Sequence, residues 1–369
     1  MTSHSLSSSS CLPRWSMWTS LLASCSLLFV LSGCTPSGSS STDQKENKKA
    51  EATPKAASDS VSKTLTLYSG RKMSLIEPLI KMFEKKEGVK VQVRSGKSTN
   101  LAQLIINEGK TSEVDVFWSQ DPEAMALLED AQLLAPLPAL KANVYPAFSG
   151  LSPNWTATSG RLRVLAYSEK RGGKDLPESI FDLVKPQYKG RVGWAPTNAS
   201  FQTFVTAARQ LHGDEKVVKW LKDMMANEAK IYPKNTPIIA ALDAGEIDFG
   251  LPNHYYLLQA QKQGRAKEVK QTPFKDGDVG NLMSVAAIGQ LKSAKNAQFA
   301  QKWIAFLLSE DAQRFFAEKT MEYPLLPNIP LHPSLQKADA LKKSRPNVDL
   351  KTLKDRKGTL KVLQDVGLL

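Results

Sequence analysis

The chain has 369 residues, of which 41% are hydrophobic and 23% charged, enough for two domains of ordinary size with cores of their own. The formal charge is +13, but the bases are scattered among acids and are not interleaved with aromatics. That pattern speaks against a nucleic-acid partner and suits a basic surface with a few bases aimed at an anionic ligand.

Residues 1–33 hold no acid and a single Lys or Arg, Arg14, ahead of the apolar run Leu21 to Leu31. This reads as an export signal and not as a membrane span. The run closes on Leu31-Ser32-Gly33-Cys34, which resembles the bacterial lipobox and implies that Cys34 is lipidated and becomes the mature N-terminus. Cleavage there removes Cys11 and Cys25 with the signal and lowers the net charge by one, to +12. A lone lipidated cysteine leaves neither a disulfide nor thiolate metal chemistry. Thr35 to Ser62, rich in Ser, Lys, Ala, Thr and Glu and without a large apolar run, reads as a disordered tether.

From Lys63 the pattern turns regular. Leu65 to Tyr68 alternates as a strand, Leu75 to Phe83 carries apolar residues at helical spacing with Pro78 near its start, and Val89 to Val93 is a second strand. Leu101 to Ile106 is a helix and Val114 to Trp118 a third strand. Strands alternating with helices predict a parallel, doubly wound sheet, whose ligand loops lie beyond the strand ends at Ser69–Lys72, Ser95–Thr99 and Ser119–Pro122.

A second α/β block opens with Arg161 to Tyr167 as one strand. It continues through strand Arg191 to Trp194, helices Phe201 to Leu211, Glu215 to Met225 and Thr236 to Ala244, and strand Ile247 to Gly250. Strand Met283 to Ile288 and helices Ala297 to Leu308 and Ala312 to Glu318 return the chain to the first block, and the basic tail from Pro330 is expected as helices on the outside. Two lobes exchanging strands across a hinge would leave a ligand cleft between them.

Asn253-His254-Tyr255-Tyr256 places two adjacent phenols where a strand emerges onto that cleft. From these residues alone, they are equally two aromatics on the first turn of a helix, one packed and one half exposed. Other signals fail on spacing. Gly96-Lys97-Ser98 has Val91 where a phosphate loop requires glycine, and Asp276-Gly277-Asp278 is not followed by the glutamate of a calcium loop. His212, His254 and His332 form no recognisable nucleophile or metal motif, and there is no Gly-x-Ser-x-Gly, so an enzyme is not expected.

Tyr68-Ser69-Gly70, Val91 to Ser98, Asp115-Val116-Phe117-Trp118, Tyr232-Pro233-Lys234-Asn235, Asn253-His254-Tyr255-Tyr256 and Glu322-Tyr323-Pro324-Leu325 occur in an order and spacing that resemble the periplasmic ferric-iron-binding proteins of ABC importers, bacterial transferrin-like members of extracellular solute-binding protein family 1. The resemblance implies a type II periplasmic-binding-protein fold, α/β and two-lobed, each lobe a doubly wound sheet. The expected organisation is a signal at 1–33, a lipidated Cys34 and tether at 34–62, and a first lobe at 63–158. A second lobe at 159–281, a return to the first lobe at 282–329 and C-terminal helices at 330–369 complete it.

By the same resemblance, Tyr255 and Tyr256 are ligands to Fe3+, and carbonate or phosphate is the synergistic anion. The partners are an ABC permease with its ATPase and a membrane reached through the N-terminal lipid, with the protein a monomer in the periplasm or at the cell surface. The chain departs from the family where a histidine ligand gives way to Lys72 and a glutamate ligand to Gln120. The third tyrosine used by some members is missing from Thr197-Asn198-Ala199-Ser200. Possible additional metal or anion contacts are therefore Lys72, Gln120, Arg71, Arg161, Asn198, Ala199, Ser200, Asn235 and Asn253. The alternative cargo is a metal-free organic or inorganic anion, such as a phosphate ester or sulfonate.

Overall fold

The computed structural model describes residues 63–138, 144, 145, 148, 151–333, 335 and 338–369. The expected export signal, Cys34 and the expected tether lie outside the described residues.

Strand β1 (Thr64–Ser69) leads into helix α1 (Met73–Glu87), then β2 (Lys90–Ser95), α2 (Ser98–Glu108), β3 (Val116–Ser119) and α3 (Pro122–Asp130). The inner face of α1 carries Ile76, Leu79, Ile80 and Phe83, the three-and-four spacing that puts side chains on one stripe. The helix stops at Gly88, whose φ of 64° lets its N–H turn back to the Glu84 carbonyl at 2.9 Å. At the start of α3, Asp121 accepts from the Ala124 N–H at 3.1 Å, capping a helix that sequence periodicity alone does not reveal.

β4 (Trp155–Leu162) and β5 (Leu165–Ser168) replace the single strand expected from Arg161 to Tyr167. The chain breaks at Arg163-Val164 because β4 pairs in the first sheet and β5 in the second. Residues 159–162, expected in the second lobe, accordingly pair within the first sheet. There follow α4 (Glu169–Gly172), β6 (Val192–Trp194), α5 (Ala199–His212), α6 (Asp214–Ala226), β7 (Lys230–Ile231), α7 (Asn235–Ala244), β8 (Phe249–Gly250), α8 (His254–Lys262) and β9 (Val269–Thr272). The chain then returns through β10 (Met283–Gln290), α9 (Ala297–Leu307) and α10 (Glu310–Phe315), and the tail adds α11 (Ala338–Ser344) and α12 (Arg356–Asp365), with α12 packed on α5.

The first sheet runs β2-β1-β3-β10-β4 and the second β7-β6-β8-β5-β9. β1 is parallel to β2 and β3, and β6 is parallel to β7 and β8, as helical crossovers require. β10 is antiparallel to both neighbours, and so is β5. The parallel order expected of the first sheet thus holds among β2, β1 and β3, while β10, which brings the chain back from the second sheet, runs against its neighbours. The two crossings are tied together where the Arg163 N–H donates to the Leu282 carbonyl at 3.0 Å. β7 and β9 were not legible because they are short, largely solvent-facing and without alternation.

Aromatic clusters fix each lobe. In the first, the Trp303 ring meets Phe83 edge-on at 4.9 Å and Trp118 at 5.9 Å. In the second, Trp194 sits edge-on to Phe201 at 5.6 Å and to Trp220 at 5.9 Å. Because Trp303 is fully buried between these rings, Trp303→Ala is expected to cost about 3–5 kcal/mol. Urea denaturation measures this as a lower midpoint at unchanged slope.

Candidate metal and anion site

The site is assembled where the chain leaves β8. Leu251-Pro252-Asn253 runs out of the second sheet, Asn253 pairs with Arg163 as an isolated bridge, and α8 begins at His254. Three consecutive aromatic residues on a first helical turn leave the helix about 100° apart, so the three cannot all point the same way.

His254 turns inward. Its Nε2 contacts the Met321 carbonyl at 2.8 Å and its Nδ1 the Leu162 N–H at 3.1 Å. The tautomer that satisfies both donates from Nε2 and accepts at Nδ1. Burial, opposed by these backbone bonds, pulls its pKa from 6.5 to about 4. With both nitrogens engaged, His254 joins α8 to β4 and to the chain after α10, and is not a metal ligand.

Tyr255 is 4% exposed, Tyr256 is half-buried, and their rings stack with centroids 4.3 Å apart and planes at 29°. Burial, then the neighbouring Tyr256, push the Tyr255 phenol well above its ordinary pKa, while Arg161 works in the opposite direction. The pair therefore matches the plain structural description and the ligand description at once: one packed ring, one partly open ring, both hydroxyls in one neighbourhood.

Arg161 and Arg163 act electrostatically on the pair, and Arg71 connects to it through Glu322. Arg163 donates from Nη1 to the Leu251 carbonyl at 2.7 Å and from Nη2 to the Ser200 carbonyl at 2.8 Å, and lies over the rings of Phe201 and Phe204 at 5.4 and 5.1 Å. Burial lowers its pKa to about 9, and the two tyrosines act to raise it. Arg71 forms a fully buried ion pair with Glu322 at 2.7 Å and donates to Gln120 Oε1 at 3.1 Å. Burial works to raise the Glu322 carboxyl, but Arg71, Arg161 and a 2.8 Å bond from Ser159 outweigh it and hold the group below its usual range. Arg161 donates from Nη2 to the carbonyls of Gln120 and, at 3.1 Å, Val285, while its buried Nε and Nη1 have no protein partner.

The remaining sequence candidates divide by what already holds them. Lys72 is exposed at the start of α1, with Nζ 6.0 Å from the Tyr256 ring centroid. Asn198 is occupied as the cap of α5, its Oδ1 accepting from the Ser200 N–H at 3.0 Å and from the Ser200 hydroxyl at 2.8 Å, with Ala199 the first helical residue. Asn235 is 1% exposed on the first turn of α7, which packs against α8, and its Nδ2 has no protein partner. Asn253 is buried at the cap of α8 without a side-chain capping bond. The structure thus joins Tyr255, Tyr256 and Lys72, and links Arg71, Gln120 and Arg161 through hydrogen bonds. Asn198 and Ser200 are tied to Arg163.

Sequence reasoning did not single out Arg163 and Glu322 as site residues. The one available signal was that Arg161 and Arg163 alternate with apolar residues at a strand end, an odd place for two charges. Chemically, the site offers two phenol oxygens, unpaired N–H groups on Arg161 and a local excess of positive charge. That combination can hold a hard cation together with an anion. Among the described residues, no group of three or more His, Cys, Asp or Glu is placed to hold a metal, and no helix is long and apolar enough to cross a membrane.

Two mixed α/β sheets linked by two adjacent crossings, with the site at those crossings, define a two-lobed binding protein. The chain belongs to the bacterial extracellular solute-binding proteins, whose family model matches residues 112–355. It is 32% identical over 310 residues to the major ferric iron-binding protein of Neisseria meningitidis, covering 82% of this chain and 93% of that one. Iron-bound HitA from Pseudomonas aeruginosa is 33% identical with a TM-score of 0.76, over 83% of this chain and 99% of that one. Trichodesmium IdiA (FutA), in complex with iron and citrate ligands, is 25% identical with a TM-score of 0.71, over 83% of this chain and all of that one. The resemblance read from the motifs and the two-lobed fold it implied are both borne out.

The depressed pKa of His254 has a definite consequence. Its contribution to stability is present above pH 6.5 and is lost as pH falls toward 4, which amounts to about 3 kcal/mol. Thermal or urea unfolding between pH 7 and 4 is expected to show this loss, and His254→Gln to flatten that part of the profile.

Proposed function

We propose that the protein is the substrate-binding component of an ABC importer, capturing ferric iron with carbonate or phosphate as synergistic anion and presenting it to the permease. The observation that carries this reading is the stacked pair Tyr255–Tyr256 beside Arg161, whose Nε and Nη1 have no protein partner. Ferric iron is small, highly charged and hard, and phenolate oxygen suits it. Two phenolates balance two of its three charges, and an anion held by Arg161, Lys72 and Asn235 would supply the rest together with further donor atoms. Gln120, a neutral amide held by Arg71, stands in the glutamate's position and Lys72 in the histidine's, so the anion carries more of the coordination than in relatives with those ligands.

Because burial keeps the Tyr255 phenol protonated in the free protein, the metal must displace its proton. The anchor in this reading is a lipid on Cys34, with Thr35 to Ser62 as the tether to the binding domain. Localisation in the periplasm or at the cell surface and a monomeric state complete the proposal, as does the division of lobes near 63–158, 159–281 and 282–329 with outer helices at 330–369, the first boundary shifted to the crossing at Arg163.

Titration with ferric citrate in the presence of carbonate or phosphate is expected to produce a visible phenolate-to-iron absorption band and to acidify a weakly buffered solution. Tyr255→Phe and Tyr256→Phe are each expected to remove or shift the band and to weaken binding more than about a hundredfold. No band, or a band indifferent to both substitutions, overturns the reading. Calorimetry against metal-free phosphate esters and sulfonates then decides whether the cleft serves an anion alone.

A further inference from the structure

The C-terminal helix touches both lobes at one buried point. α3 starts immediately behind Gln120 and belongs with the first sheet, while α5 starts at Asn198–Ser200 in the second lobe. Their first turns face each other, and the Thr203 hydroxyl donates to Glu123 Oε2 at 3.3 Å. Into this junction α12 sends Arg356. One guanidinium nitrogen donates to Glu123 Oε2 on α3 at 3.1 Å, and the other to Gln202 Oε1 on α5 at 2.6 Å. α12 is itself docked on α5 by Thr206 with Thr359 at 2.9 Å and by Arg209 with Asp355 at 2.9 Å. Just before it, Lys354 pairs with Asp130 at the far end of α3 at 2.7 Å.

The junction is poorly explained as ordinary stabilisation. Glu123 is 2% exposed, sits beside the acid Asp121, and its Oε1 has no protein partner. A buried, half-satisfied carboxylate is a weak stabiliser of a fold, whereas a buried ion pair can fix one geometry among several. We infer that Arg356 is a positioning residue for the cleft: by bridging Glu123 to Gln202 it fixes the spacing of the two helix starts that flank the cargo, and so sets how fast cargo leaves.

The inference rests on the proposed cargo for its kinetic readout but not for its structural one. Facing Glu123 are Asp121 from its own cap, Gln202, Thr203 and Thr206 from α5, and Arg356 from α12. Burial, then Asp121, raise its pKa to about 7, and Arg356 and Thr206 act against this. The Glu123–Arg356 pair is therefore complete above neutral pH and weakens as Glu123 takes up a proton below it.

The test is chelator-driven iron release followed at the phenolate band, paired with spin-label distances in the iron-free protein. Labels at the exposed positions Lys110 and Lys222 report on the two lobes, in a full chain whose Cys11, Cys25 and Cys34 are serine. Arg356→Gln is expected to release iron about tenfold faster at pH 8 without moving the band, and to lengthen or broaden the distance distribution. Arg356→Lys should fall between it and the wild type, because an ammonium cannot fork between two acceptors. Glu123→Gln should also release faster at pH 8 and show a smaller acceleration below pH 7 than the wild type, keeping only the part due to proton uptake by the phenols. Unchanged release or unchanged distances in Arg356→Gln overturns the inference. If no iron binds, the proposed cargo fails while the distance measurement still decides the role of Arg356.

Discussion

The burial of positive charge beneath a pair of phenols is the constraint on which the rest of the site depends. Arg71, Arg161 and Arg163 are each no more than 2% exposed, and each has a different answer to the cost of leaving water. Arg71 has a carboxylate, Glu322. Arg163 has two backbone carbonyls and two aromatic faces. Arg161 has carbonyls on one nitrogen only, and its remaining N–H groups are open. With neutral phenols, the local excess of positive charge stays uncompensated. In the proposed complex two phenolates would leave a bound ferric ion one charge positive, so the compensation of both that charge and the arginines would fall to the anion.

The topology explains why these groups meet. β4 and β10 lie side by side in the first sheet, and the chain passes between lobes at the end of one and the start of the other. Arg161 is the penultimate residue of β4, Arg163 occupies the crossing, and its backbone bridges to Asn253, two residues ahead of Tyr255. His254 closes the arrangement by bonding the backbone on either side of it. The residue adjacent to the two proposed ligands thus serves as the joint that orients them, the second-sphere task a metal site would require.

Much of this was legible in the sequence, and the rest was hidden for identifiable reasons. Sequence pattern located β1, α1, β2, β3, α5 to α7 and β10 within a few residues, the amphipathic helices by their apolar stripe and the fully buried β3 and β10 by short apolar runs. It merged β4 with β5, since a chain changing sheets keeps an extended, apolar pattern through the change. The tyrosine pair and Arg161 were recognisable, but Arg71, expected to face an anion, is committed to Glu322, 251 residues away. No local pattern encodes such a partner. Asn198, likewise expected near an anion, spends its oxygen on the cap of α5, a task its position before a helix equally predicts.

Lys72 and Gln120 are departures that the structure makes consistent with each other. A glutamate at position 120 would place a second carboxylate on Arg71, already neutralised by Glu322, and would compete for the same guanidinium. The neutral amide avoids that competition and leaves the Arg71–Glu322 pair intact, at the loss of one anionic ligand. An ammonium at position 72 then suits a site in which an incoming anion replaces the lost donor, since its charge lies near the Tyr256 ring without being able to coordinate a metal itself. On the proposed reading, these two departures move negative charge from the protein to the cargo, and selectivity would follow the anion as much as the metal.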